Sequence, residues 1–202
     1  MTSVITGDII NSRKKNPEEW LIPLKEVFSG ISGNQKFWEI YRGDSFQVEI
    51  KDVYFAFSAA VLIKATIKSI KGLDVRMSIG IGDKTHEGEK ISESNGSAFL
   101  NSGELFENLK PLKTNLAIQT DNSAVNKELN LYFKLALIAM DNWTASSAEI
   151  VKVSLESPTL SQEELGSLIG IKQSAVSERL KRASFEEIME LDIMYREKIS
   201  SL

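Results

Sequence analysis

The stretch that most constrains this chain lies near its C-terminus, where LSQEELGSLIGIKQSAVSERLKRA runs from Leu160 to Ala183. Ser161, with Glu164 three residues later, forms a capping box that starts a first helix. Gly170 ends that helix where a left-handed residue is needed, and Gly166 gives a second helix room to approach closely. The spacing therefore predicts two short helices that cross tightly, as in a helix-turn-helix.

The second of these helices presents a polar outward face. The residue types on that face are ones that read DNA grooves, namely Lys172, Gln173, Ser174, Ser177 and Lys181. Residues 145–202 nevertheless contain seven Lys and Arg against ten Asp and Glu, whereas DNA-binding domains usually carry a basic surface. We therefore expect weak DNA binding by one copy, and a homodimer. The alternative is a helical pair used only for packing or for a protein contact.

Composition excludes several classes of protein. The chain has 202 residues, 42% of them hydrophobic and 26% charged, which is ordinary for a globular protein. It has no Cys, which excludes disulfides, thiolate catalysis and Cys-ligated zinc, and its single His leaves no material for a histidine metal cluster. No apolar run reaches the ~20 residues of a membrane span. We expect a cytoplasmic protein that does not enter a membrane.

Strand-like and helix-like patterns alternate over the first ~120 residues in the order β-α-β-β-α-β-α-β. That order predicts an α+β fold, a ferredoxin-like or cyclase-like sheet with helices on one face, followed by an all-α helix-turn-helix domain. We expect an α/β domain over 1–121, connecting helices over 122–156 and the helix-turn-helix domain over 157–202. The connecting helices either pack against both domains or supply a dimer interface from Leu129, Leu131, Phe133, Leu135, Ile138 and Met140.

Two Gly-Asp pairs end strands that we expect to be neighbours. Asp8 closes the first strand, and Asp44 lies at the tip of the next hairpin. If these strands pair, both carboxylates converge at one edge of the sheet, where they suit Mg²⁺ or Mn²⁺ held together with nucleotide phosphates. The alternative is turn chemistry, in which each Asp caps its own backbone. Gly43, Arg42 and Arg76 are candidate nucleotide contacts, and a solvated strand face is the alternative for each arginine.

These motifs resemble two known families. ITGDIINSR is similar to the first metal-binding strand of class III nucleotidyl cyclases, and YRGDSFQV is similar to their Gly-Asp hairpin. With VRMSIGIG, NGSAFLNSG and the C-terminal helix pair, the whole chain resembles the bacterial SatD family. The resemblance implies a small cyclase-like domain joined to a DNA-binding one, with Asp8 and Asp44 at the positions of the two metal aspartates.

The chain departs from the cyclase pattern where catalysis needs a cation. Cyclases carry an Asn and, four residues later, an Arg that stabilises the displaced phosphate, and here those positions hold Leu100 and Glu104. Losing such a donor costs ~10²–10³ in rate, so we expect little or no cyclase activity. The sequence predicts a regulatory protein that couples a metal- and nucleotide-binding domain to DNA binding. The alternatives are a nucleotide-processing enzyme whose tail only supports assembly, and a degenerate interaction scaffold.

Overall fold

A five-stranded sheet forms the centre of the fold. The structure is a computed structural model that describes residues 1–202. The strands are β1 (Thr2–Ile10), β2 (Trp38–Tyr41), β3 (Ser45–Ile50), β4 (Asp74–Gly82) and β5 (Leu116–Gln119), and their spatial order is β2-β3-β1-β4-β5. β1 is antiparallel to β3 and β4, whereas β4 and β5 are parallel.

Eight α-helices accompany the sheet. They are α1 (Pro17–Ser32), α2 (Ala56–Lys68), α3 (Ser97–Leu112), α4 (Ser123–Met140), α5 (Ala145–Glu156), α6 (Gln162–Ile169), α7 (Gln173–Arg182) and α8 (Phe185–Ile199). The succession β1-α1-β2-β3-α2-β4-α3-β5 confirms the predicted order, and the chain is a mixed α+β protein. α3 includes Pro111 in its last turn. None of the helices combines the length and the apolar character needed to cross a membrane.

Helices cover both faces of the sheet. Phe28 of α1 packs on one face, with its ring centroid 5.0 Å from that of Phe46 in β3. α3 covers the opposite face, where the hydroxyls of Thr6 and Ser102 share a hydrogen bond of 2.5 Å. The expectation that all helices lie on one face is therefore wrong for α3. α3 can lie directly on this face because β4 has Gly80 there, where any Cβ would collide with the backbone of α3.

One apolar core joins the sheet to the C-terminal helix. This core contains buried residues from Ile5 in β1 to Ile199 in α8. Tyr195 of α8 is fully buried, with its ring centroid 5.9 Å from that of Phe57 in α2, and its hydroxyl donates to the carbonyl of Val53 at 2.7 Å. The last helix, which the sequence predicts as part of the 157–202 domain, therefore completes the core beneath the sheet.

A second, smaller core belongs to α5, α6 and α7. Ile150, Leu165 and Val176, one from each helix, are buried together. Gly170 ends α6 in the left-handed region with φ 71°, which allows the sharp turn into α7. The indole Nε1 of Trp143, just before α5, donates to the carbonyl of Ala183 at 2.8 Å. This hydrogen bond ties the C-terminal end of α7 to the segment that precedes α5.

A buried ion cluster fixes α4 relative to the sheet. Lys64 of α2 is fully buried, and its Nζ lies 2.8 Å from Asp74 at the start of β4 and 2.6 Å from Asp141 at the end of α4. Lys68 also contacts Asp74, at 3.1 Å. Two lysines and two aspartates thus compensate one another's charge, as buried charges require.

Candidate functional site

The two Gly-Asp pairs meet because β1 and β3 are hydrogen-bonded neighbours. Asp8 lies opposite Ser45 on β3 and opposite Arg76 on β4. The carbonyl of Asp44 accepts a hydrogen bond of 3.1 Å from the backbone N–H of Ile9. The side chains of consecutive strand residues point to opposite faces of the sheet. Ile9, whose N–H binds the carbonyl of Asp44, therefore faces away from Asp8. The predicted pairing of the strands is confirmed, and convergence of the two carboxylates stays a prediction.

Asp8 is paired with a cation. Its Oδ2 accepts a hydrogen bond of 2.5 Å from Nη2 of Arg76, and both side chains are mostly buried. The guanidinium carbon lies 5.8 Å from the ring centroid of Phe106 in α3. Oδ1 of Asp8 and Nε of Arg76 are buried without a hydrogen-bond partner. Each side chain of the pair therefore has one buried polar atom whose hydrogen-bonding capacity is unused.

Asp44 ties a basic turn to the tip of the β2-β3 hairpin. The hydroxyl of Ser12, which begins a short 3₁₀ turn after β1, donates to Oδ2 of Asp44 at 2.5 Å. At the tip Arg42 and Gly43 are exposed and have positive φ angles of 52° and 92°. Three exposed cations without an ion-pair partner lie on these two segments, namely Arg13, Lys14 and Arg42.

The donor set at this edge does not fit a divalent cation as it is arranged. No group of three or more His, Asp or Glu side chains lies together in a way that could hold a metal ion. The charge of Asp8 is already compensated, because the guanidinium of Arg76 lies in contact with it and repels another cation. A cation bound at Asp8 would have to share the carboxylate with this guanidinium. The Mg²⁺ or Mn²⁺ site of Asp8 and Asp44 stays a prediction.

The two positions that the sequence resemblance sets against the cyclase Asn and Arg lie on α3. Leu100 and Glu104 are both exposed. Asn101, one residue after the Asn position, donates through Nδ2 to the carbonyl of Ile81 at 2.9 Å and to Oδ1 of Asp121 at 3.3 Å. The Nδ2 of Asn101 therefore holds α3 to the end of β4.

Sequence reasoning missed Tyr41, which lies on the same face as Asp8. Tyr41 of β2 is opposite Ser45, and Ser45 is opposite Asp8, so the three side chains share one face. Burial raises the pKa of the Tyr41 phenol, and the positive charge of Arg42 lowers it to a smaller extent. The period-2 alternation of the hairpin was the available signal for this residue.

The contact between α6 and α7 depends on one glycine. At Gly166 an added Cβ would lie 2.6 Å from the carbonyl oxygen of Ile171 and 3.3 Å from Cγ2 of Val176. The predicted capping box is present, and hydrogen bonds from Ser161 lower the pKa of Glu164. The first turn of α6 and its close approach to α7 are therefore built as the sequence indicated.

The outward face of α7 is polar and exposed, with Lys172 just before its first residue. The exposed side chains include all five that the sequence singled out, namely Lys172, Gln173, Ser174, Ser177 and Lys181. Two other cations of α7 are occupied, because Arg179 pairs with Glu149 of α5 at 2.9 Å and Arg182 pairs with Glu178 at 3.4 Å. The free positive charge of this face is therefore limited to its two lysines.

No protein-family model and no curated protein matches this chain. Among solved structures, the active GGEEF domain of a diguanylate cyclase from Vibrio cholerae is similar to 60% of this chain and 83% of that one. The two sequences are 17% identical over that alignment, and the TM-score is 0.41. Values this low assign no activity, substrate or cofactor to this protein. The resemblance to the SatD family stays an expectation.

Proposed function

We propose that this chain is a regulatory protein that binds DNA through α7. The observation that carries the proposal is the tight crossing of α6 and α7 at Gly166, which leaves the polar face of α7 outside the fold. In helix-turn-helix proteins the second helix of such a pair lies in the major groove and its N-terminal residues contact base edges. The N-terminal end of α7 carries Lys172, Gln173 and Ser174, which are exposed.

The side chains of α7 divide into two kinds of DNA contact. Lys172 and Lys181 suit the phosphate backbone, which supplies affinity for any sequence. Gln173 suits an adenine, to which a side-chain amide makes two hydrogen bonds. In the free protein the Gln173 amide donates to Oε1 of Gln162 in α6 at 2.9 Å, which orients it at the surface.

Charge predicts how this binding depends on salt. Each phosphate that a protein neutralises releases counterions, so the slope of log affinity against log salt grows with the number of cations involved. Only two lysines of the α7 face are free of ion pairs, and residues 145–202 are acidic on balance. We expect weak nonspecific binding, a shallow salt dependence, and specificity that comes from base contacts.

We propose further that the sheet domain binds an anionic ligand at the tip of the β2-β3 hairpin. The ligand is a nucleotide or another phosphorylated small molecule. The hydrogen bond between Ser12 and Asp44 holds two exposed basic segments side by side, and Arg13, Lys14 and Arg42 are free to contact phosphate. Arg76 is committed to Asp8 and contributes only if that pair opens. Ligand binding at this edge would then control DNA binding.

The test of DNA binding is a selection from random DNA at low salt with the full chain. Removing residues 160–202 is unsuitable, because α8 belongs to the main core. We expect an enriched sequence, a loss of preference at one position in Gln173→Ala, and weaker binding to all sequences in Lys181→Ala. Lys25→Ala, which removes an exposed lysine of α1, is the matched control and should behave as wild type. Absence of enrichment, or equal binding by all variants, contradicts the proposal.

The test of ligand binding is calorimetry with ATP and GTP. A double variant, Lys14→Ala with Arg42→Ala, removes two of the free cations at the hairpin edge and should weaken binding by at least about tenfold, which corresponds to about 1.4 kcal/mol. Lys25→Ala again serves as the control. Unchanged affinity in the double variant places the ligand elsewhere, and no heat from either nucleotide contradicts this part of the proposal.

A further inference from the structure

α4 and α8 lie side by side and antiparallel on the surface, so residues of α4 have neighbours on α8 at the same height along the helix axis. Lys198, near the end of α8, pairs with Glu128, near the start of α4, at 2.9 Å. Leu135 lies seven residues after Glu128 on α4, and Leu191 lies seven residues before Lys198 on α8. Both leucines line one groove between the two helices. The pairs 128 with 198 and 135 with 191 therefore fix which residues of α4 stand beside which residues of α8.

The outward faces of both helices are apolar at their centres. Leu131, Leu135 and Ile138 of α4 are 56%, 57% and 68% exposed and follow one another at the spacing of a single helix face. On α8, Ile193 and Met194 are 59% and 40% exposed. The groove between the helices has a volume of about 320 Å³ and an apolar floor. A contiguous exposed apolar surface of this kind marks an interaction site.

The two exposed faces carry opposite charges at the same spacing. α4 carries Lys127 and Lys134, seven residues apart, and α8 carries Glu190 and Glu197, also seven residues apart. All four are exposed, and none has an ion-pair partner within the chain. A seven-residue spacing places two side chains on one side of a helix about 10.5 Å apart, from a rise of 1.5 Å per residue.

We propose that this surface binds a second copy of the chain, with α4 of each copy lying on α8 of the other. A twofold axis that runs along the helices brings each α4 onto the partner's α8 and preserves the levels along the axis. Lys127 then stands level with the partner subunit's Glu197, and Lys134 stands level with the partner subunit's Glu190. Leu131 of α4 and Ile193 of α8 lie between these charge pairs along the helix axis, and Leu135 and Ile138 continue the apolar face of α4 beyond Lys134.

The charges also select against the other twofold arrangement. Packing α4 on α4 would place lysines of both copies on one helix pair and glutamates on the other, and neither set would be compensated. Like charges across an interface suppress the wrong pairing, whereas opposite charges fix the register. The dimer deepens the proposed function, because α8 directly follows α7 and the pairing would hold two copies of α7 for two half-sites.

The test is the oligomeric state of the full chain, without DNA, by sedimentation and light scattering at micromolar concentration. We expect a dimer for wild type. Two charge-reversal variants, Lys127→Glu with Lys134→Glu and Glu190→Lys with Glu197→Lys, should each self-associate at least about tenfold more weakly, since both of their interfaces become repulsive. An equimolar mixture of the two variants should form dimers again, because both interfaces of the mixed dimer regain opposite charges.

Each other outcome counts against the proposal. A monomeric wild type overturns it, and so does a mixture that stays monomeric while circular dichroism shows both variants folded. If the double variant Glu190→Lys with Glu197→Lys dimerises as strongly as wild type, the glutamates of α8 do not face the lysines of α4. That result would favour packing of α4 on α4 and would contradict the proposal. Leu135→Glu should also give a monomer, whereas Ile22→Glu, at an α1 position that is also 57% exposed, should leave the dimer intact. Because DNA is absent, these results are independent of whether α7 binds DNA.

Discussion

Replacing Gly166 with Ala tests whether the crossing of α6 and α7 depends on a missing side chain. The added Cβ would lie 2.6 Å from the carbonyl oxygen of Ile171, which is a backbone atom and cannot rotate away. Overpacking of this kind costs about 1–3 kcal/mol. Ala gains about 1 kcal/mol over Gly in a helix interior, which offsets part of that cost. We therefore expect the free energy of unfolding to fall by about 1 kcal/mol.

A matched control is Gly103→Ala in the middle of α3. An added Cβ at Gly103 meets no atom within 4 Å, so this variant keeps the helical gain without the collision and should be stabilised by about 0.5–1 kcal/mol. The two variants should then differ by about 2 kcal/mol in urea denaturation. In thermal unfolding that difference corresponds to about 4–8 °C, at about 2–4 °C per kcal/mol for a chain of this size. Equal stabilisation by the two substitutions would refute the reasoning.

Three further expectations concern the buried charges and the chemistry of the sheet. Lys64→Ala leaves the carboxylate of Asp141 without a cation and leaves Asp74 with Lys68 alone. The variant should lower the free energy of unfolding by about 3–5 kcal/mol in urea denaturation, and a loss below about 1 kcal/mol would contradict the role of the cluster. Arg76→Met removes the positive charge beside the carboxylate of Asp8 and should strengthen Mn²⁺ binding by at least about tenfold in calorimetry. Equal Mn²⁺ binding by the variant and wild type would show that Arg76 does not repel a cation from Asp8. Incubation of wild type with ATP or GTP and Mn²⁺ should yield no cyclic nucleotide by chromatography, because the resemblance to cyclases sets the carboxylate of Glu104 at the position of their arginine. Robust metal-dependent product would overturn this expectation.

Local features of the sequence were enough for the order of elements and for the helix ends. Period-2 and period-3.6 apolar patterns, which need only neighbouring residues, predicted the succession of strands and helices up to residue 121. The capping box at Ser161 and the left-handed Gly170 likewise act within a few residues of themselves, and both are present. The outward polar face of α7 follows from the same local periodicity, since the apolar seam fixes which side of the helix is buried.

Tertiary structure decided which surfaces meet. An apolar helix face shows that a helix is buried, but not against what, so neither the position of α3 on the second face of the sheet nor the burial of Tyr195 in the main core could be read from the sequence. The partner of Asp8 depended on the register between strands far apart in the chain, which brought Arg76 opposite it. The position of α4 beside α8 was set in the same way, by packing on a shared core. The proposed dimer depends on this position, which puts Lys127 and Lys134 at the same heights along the helix axes as Glu197 and Glu190.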